Sequence, residues 1–75
     1  VDDPEAVAAL MAAVEGNESS AVRRRALVVL LGRCRVHYLD PPSPADARWD
    51  QAVALLRGTP SIRKALQAAE REVHQ

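Results

Sequence analysis

Residues 6–10 read Ala-Val-Ala-Ala-Leu, and residues 52–56 read Ala-Val-Ala-Leu-Leu. A glycine and a small polar cluster follow each copy, and a segment of basic and apolar residues comes next. That segment reads Val-Arg-Arg-Arg-Ala-Leu from Val22 and Ile-Arg-Lys-Ala-Leu from Ile62. Two helix-turn-helix units spaced about 40 residues apart are typical of a helical repeat. The sequence therefore predicts an all-α fold in which four helices form two antiparallel helical hairpins.

Local start and stop signals give the expected helix boundaries, which are about 4–15, 20–39, 44–57 and 60–74. Three of these helices begin with a capping side chain followed by proline, at Asp3-Pro4, Ser43-Pro44 and Thr59-Pro60. The second helix is expected to be capped by Ser19 or Ser20 and to end before Pro41, because proline cannot continue a helix. Gly16 is expected to end the first helix in the left-handed conformation.

Composition places the chain among small aliphatic domains. Apolar residues make up 48% of its 75 residues but aromatic residues only 3%, so the core is expected to consist of Val, Leu, Ile and Ala. The formal net charge is zero, which argues against a strong general affinity for nucleic acid or for an anionic membrane.

The expected location follows from cysteine usage and from the length of the apolar runs. The single cysteine, Cys34, cannot form an internal disulfide, which argues against a secreted disulfide scaffold. The longest apolar run is much shorter than a membrane span, so no membrane association is expected. We therefore expect an intracellular domain, from the cytoplasm or the nucleus. Because the sequence starts with Val and ends within an expected helix, we also expect this domain to belong to a longer protein.

The second expected helix has apolar residues on more than one side. At 3.6 residues per turn they fall into three stripes. The first contains Leu27, Leu30, Leu31, Cys34 and Tyr38, the second Val22, Ala26, Val29 and Val36, and the third Val28 and Leu39. Because such a helix has to be covered on several sides, we expect it to lie at the centre of the domain. We also expect one of its sides to remain for a partner.

Residues 4–10, residues 22–26 and the pair Leu31-Gly32 resemble one repeat of the HEAT or armadillo-like superfamily. Residues 62–66 carry a looser likeness to the same pattern. In those families an outer helix pairs with an inner helix that tends to open with Val-Arg. The resemblance implies a protein-binding scaffold whose inner helices, the second and fourth here, line the binding side.

Residues that carry chemistry are sparse. Cys34 and His37 lie three positions apart and His74 is the other histidine, but zinc sites use at least three protein ligands and no metal-ligand motif is present. The serines lie at expected helix starts, where capping accounts for them. The three glycines are too dispersed to form a phosphate-binding loop. We therefore expect no catalysis, no cofactor and no bound metal.

The expected binding surface combines arginines with the third apolar stripe of the second helix. Arg24 and Arg35 lie beside Val28 and Leu39 on the expected helix. Arginine next to aliphatic side chains is typical of a protein interface. We expect a protein–protein interaction module, a scaffold or adaptor domain, that docks a partner helix or an acidic peptide at these four residues.

Two alternatives remain open. The helix at 60–74 follows a turn as the recognition helix of a DNA-binding domain does, and Arg63 and Lys64 would then contact phosphates. In the other alternative, a second copy of the chain covers the spare side of the second helix, which makes the chain a homodimerisation domain.

Overall fold

The computed structural model describes residues 3–16, 19–37 and 40–73, and these residues form an all-α bundle of four helices. The helices are α1 (Pro4–Gly16), α2 (Ser20–Arg33), α3 (Trp49–Gly58) and α4 (Pro60–Val73). The predicted fold class is confirmed. α1 packs most extensively against α2 and α4, and α3 contacts α4 and α2.

The bundle is thin. It measures 38 × 26 × 16 Å, and a helix with its side chains is about 10 Å across. Each of the four helices also has exposed residues, so each keeps one side near solvent.

The core is aliphatic apart from one tryptophan, as the composition predicts. Its buried side chains come from all four helices: Val7, Met11, Val14, Ala26, Leu27, Leu30, Leu31, Trp49, Ala52, Leu56 and Ile62. Spacings of three and four residues place each set on one side of its helix. Val22 and Val29 of α2 lie outside this core.

Side-chain caps begin the first two helices, as the sequence predicts. Asp3 Oδ1 accepts a hydrogen bond from the Glu5 amide at 3.0 Å, and Ser19 Oγ accepts one from the Val22 amide at 3.4 Å. Each bond satisfies an amide that has no partner within its own helix. Asp3 and Ser19 therefore set where α1 and α2 start.

One residue, Thr59, connects α3 to α4. Its carbonyl accepts a hydrogen bond from the Arg63 amide at 3.0 Å, as expected of the residue before a helix. Its hydroxyl donates instead to the Leu55 carbonyl in the last turn of α3, at 2.8 Å. The prediction that Thr59 caps α4 is thus correct for its backbone and wrong for its side chain.

The glycines at the helix ends do not behave as predicted. α1 ends at Gly16 and α3 at Gly58, close to the expected positions. Neither glycine has a positive φ, so the prediction of a left-handed cap at Gly16 is wrong. Among the described residues, the left-handed conformation is found at Arg35, whose φ is 59°.

This left-handed residue ends α2 at Arg33, six positions before the predicted end at 39. The Arg35 amide donates to the Gly32 carbonyl at 3.1 Å, and the Val36 amide donates to the Leu31 carbonyl at 2.9 Å. Those two bonds and the positive φ make a Schellman motif, which closes a helix and turns the chain away from its axis. The predicted boundary of 20–39 is therefore wrong, because the chain reverses well before the prolines.

Replacing Arg35 by glycine should raise the free energy of unfolding by about 1 kcal/mol. Glycine adopts positive φ without the steric cost that a Cβ brings, and the melting temperature should rise by about 4–8 °C. Arg33→Gly is the matched control; it lies within the right-handed helix and should lower stability by about 0.5–1 kcal/mol. Thermal unfolding followed by circular dichroism measures both. An Arg35→Gly variant less stable than the parent would contradict the motif.

α3 begins at Trp49, five positions after the predicted start at 44. Asp46 explains the difference: its Oδ1 accepts a hydrogen bond from the Arg48 amide at 2.8 Å, and its carbonyl accepts one from the Trp49 amide at 3.0 Å. An aspartate that bonds nearby amides competes with helix formation. The segment from Ser43 to Arg48 therefore forms turns, and the Ser43-Pro44 start signal does not begin a helix.

The Asp46 carboxyl should titrate with a pKa of about 2, below its ordinary value of 3.8, because the Arg48 side chain and amide both donate to the carboxylate. The folded-state pKa is the lower one. The pairing therefore stabilises the fold at pH values above the ordinary pKa of 3.8, and this stabilisation is lost as the pH falls from about 3.8 towards 2. NMR titration of the side-chain carbon measures the midpoint. Arg48→Gln should return it towards 3.8, and a parental midpoint already there would contradict the pairing.

Candidate functional site

Arg23 of α2 contacts residues of both α1 and α3. Its Nε donates to the Val14 carbonyl in the last turn of α1 at 2.9 Å, and its guanidinium lies over the Trp49 ring, 5.4 Å from the ring centroid. The carbonyl would otherwise lack a helix partner, and a cation is favoured at a helix C-terminus. This one side chain therefore connects α1, α2 and α3.

A second charged contact holds α3 against α1. Arg57 Nε donates to Glu15 Oε2 at 3.1 Å, and Arg57 Nη2 contacts Glu15 Oε1. Paired donors on one carboxylate give a fixed geometry. α1 is thus contacted by Arg23 of α2 and by Arg57 of α3, and it packs extensively against α2.

α1 and α2 together form a groove of about 670 Å³. α2 contributes most of its lining, including Val22, Val28 and Val29, and α1 contributes Leu10 and Ala13. Apart from two arginines, Arg24 and Arg25, the described residues that line it are apolar. We refer to this feature, defined by those seven residues with Ala21 and Ala26, as the α1–α2 groove.

The apolar part of the α1–α2 groove is accessible to solvent. Val22 is 45% exposed, and Leu10 and Val29 are half-buried. Because Val22 and Val29 are seven positions apart, two helical turns separate them and they lie on the same side of α2, about 10 Å apart along its axis. This strip loses contact with water only when another apolar surface covers it.

The two arginines of the α1–α2 groove differ in their contacts. Arg24 Nε donates to the Pro41 carbonyl at 3.3 Å. Arg25 is exposed, and it makes no hydrogen bond or ion pair with any residue in the ranges 3–16, 19–37 and 40–73. As far as the described residues are concerned, the Arg25 guanidinium of the α1–α2 groove is therefore available to a ligand.

The structure brings only part of the predicted binding set together. Arg24 and Val28 line the α1–α2 groove, as expected of neighbours one turn apart. Arg35 is exposed but lies beyond the end of α2, so it does not extend the stripe. Leu39 lies outside the described residues. The predicted helical stripe through all four residues is therefore wrong, since α2 is too short to carry it.

The chain itself partly covers the side of α2 on which the prediction depended. Val28 and Gly32 form a shallow depression of about 170 Å³ together with Val36, His37 and Pro41 from the segment after α2. The Pro41 carbonyl accepts a hydrogen bond from Arg24, so Pro41 lies beside α2. The open apolar surface lies instead at Val22 and Val29. The seven-residue spacing of Val22 and Val29 in the sequence predicts that they share one side of α2. The sequence does not show which apolar stripe of α2 stays open to solvent.

The residues of the other predicted sites are placed as follows. Arg63 and Lys64 are exposed on α4 and, with Pro60 and Gln67, line a depression of about 220 Å³. Cys34 is a half-buried free thiol packed against the core. In the described part of the chain, no three His, Cys, Asp or Glu side chains lie close enough to hold a metal ion. His74 lies outside that part.

Comparison with protein-family models, with curated proteins and with solved structures finds no match to this chain. Within the described residues, every helix is too short or too polar to cross a membrane.

Proposed function

We propose that this chain is a protein-interaction module and that the α1–α2 groove is where it docks a segment of another protein. The observation that carries the proposal is the apolar strip formed by the exposed Val22 and the half-buried Val29 and Leu10, together with Arg24 and Arg25 in the same groove. An apolar centre with arginine beside it is a combination found in protein interfaces, where arginine is enriched. The resemblance to HEAT or armadillo-like repeats supports the same role.

A peptide-display selection on the folded domain tests this function. Random peptides of about 16 residues, long enough to span the groove as a helix, are enriched on the parent chain and synthesised. The expected result is that Val22→Asp weakens the enriched peptides at least about tenfold, because it places a charge where an apolar side chain would be buried. Val22 lies in the first turn of α2, where an acidic residue is tolerated.

Leu55→Asp is the matched control for that experiment. Leu55 lies on α3, does not line the α1–α2 groove and is 43% exposed, against 45% for Val22. The same change at Leu55 should leave affinity within about twofold, and circular dichroism verifies that both variants fold. A selection that enriches nothing, or peptides that tolerate Val22→Asp, would refute the proposed function.

DNA binding through α4 is the second candidate, and the exposure of Arg63 and Lys64 favours it. If it holds, the chain binds a random-sequence duplex with an affinity that falls steeply with salt, and Arg63→Glu/Lys64→Glu abolishes binding. If the docking function holds, the same double variant keeps its affinity for the selected peptides. Fluorescence anisotropy with labelled duplex and labelled peptide separates the two.

A further inference from the structure

We propose that the occupant of the α1–α2 groove is an acidic amphipathic helix from a partner protein. This inference rests on the proposed function and specifies the chemistry of the ligand. It follows from three features of the groove: the spacing of its apolar residues, the sign of its charges and the poor fit of a second copy.

The spacing of the apolar residues matches a helix. Val22 and Val29 are two turns apart on α2, and Leu10 of α1 lines the same groove. A helix laid along this strip presents apolar side chains at positions i, i+3, i+4 and i+7, which repeat over the same two turns. Ala13 lines the α1 wall of the groove, and its small side chain lets a second helix approach closely.

The described charged residues that line the groove all carry positive charge. Among the described residues that line it, the charged ones are Arg24 and Arg25. The sequence from Ser19 to Leu39 contains five arginines and no acidic residue. A partner with glutamate or aspartate beside its apolar face therefore gains charge-assisted hydrogen bonds to Arg25, whereas a basic partner meets repulsion.

A second copy fits the groove less well than an acidic partner does. In a symmetric dimer the same patch meets itself, so Arg24 and Arg25 of one copy approach those of the other. Like charges brought together and desolvated oppose association. The chain should therefore be a monomer at micromolar concentration, which light scattering measures.

Two synthetic helices test the inference. Both are about 16 residues long and carry leucine at i, i+3, i+4 and i+7; one has glutamate on its flanks and the other lysine. The glutamate peptide should bind at least about tenfold more tightly than the lysine peptide and should gain helical circular dichroism on binding. Arg25→Glu should narrow or reverse this preference. Arg63→Glu, which changes the charge equally but lies on α4 outside the groove, should leave it unchanged.

Several outcomes would overturn the inference. They are equal affinity for the two peptides, an unchanged preference in Arg25→Glu, or equally tight binding of a glutamate peptide with a central proline. A dimer that Val22→Asp dissociates would identify a second copy as the occupant. If selected peptides need Val22 but are neither acidic nor helical, the docking function stands and this inference fails. If no peptide depends on Val22, both fail.

Discussion

Replacing Trp49 by alanine should lower the free energy of unfolding by about 3–5 kcal/mol, as expected for the loss of a large buried aromatic side chain. Trp49 is 5% exposed, and its ring lies under the Arg23 guanidinium. A domain of this size has about 4–11 kcal/mol in total. The variant should therefore be partly unfolded at 37 °C, and urea unfolding followed by far-ultraviolet circular dichroism measures the loss.

Trp49→Phe is the control for that prediction. Phenylalanine keeps an apolar ring in the core and a face for Arg23, so it should recover more than half of the stability that alanine removes. If Trp49→Ala cost less than about 1 kcal/mol, the tryptophan would not be part of the core, and the arrangement of α1, α2 and α3 around Arg23 would be incorrect.

Leu30→Ala should lower the free energy of unfolding by about 2–5 kcal/mol, whereas Val29→Ala should change it by less than about 1 kcal/mol. Leu30 is completely buried in the core, and its truncation leaves a cavity. Val29 is half-buried and lines the α1–α2 groove. Alanine at that position also gains helix propensity over a β-branched residue, which offsets part of the lost contact.

These neighbouring positions on one helix test which side of α2 faces the core. Chemical denaturation of both variants gives the two values under one set of conditions. Equal losses at the two positions would mean that Val29 is packed in the core, and the α1–α2 groove would then not be open. A small loss at Leu30 with a large one at Val29 would mean that α2 is rotated about its axis.

The sequence predicts the helices well where standard signals mark them. Asp3 and Ser19 cap the first two helices as expected, and the stripes through Met11 and Leu30 form the core. The signals fail where a side chain adopts an uncommon role. Arg35 adopts the left-handed conformation, which sequence analysis normally assigns to a glycine. Asp46 accepts a hydrogen bond from the Arg48 amide and forms a turn, although Ser43-Pro44 looks like the start of a helix.

The sequence predicts that the candidate site lies on α2, but it does not predict which side of α2 forms it. Periodicity shows that α2 has apolar residues on several sides, and the structure leaves Val22 45% exposed. Periodicity does not show which side is covered. That depends on the early end of α2 and on Pro41, which lies beside Val28 and accepts a hydrogen bond from Arg24. Arg25 and Val29 therefore line the candidate site with Arg24 and Val28, and Arg35 lies beyond the end of α2.

The most direct test of the docking surface is an NMR titration of the isotopically labelled chain with the glutamate-flanked helical peptide. The account predicts that the amide chemical shifts of Val22, Arg25 and Val29 on α2 and of Leu10 on α1 change as peptide is added and then reach a plateau. The amide chemical shifts near Leu55 should stay constant. Shift changes centred on Arg63 and Lys64, or none at all at millimolar peptide, would contradict it.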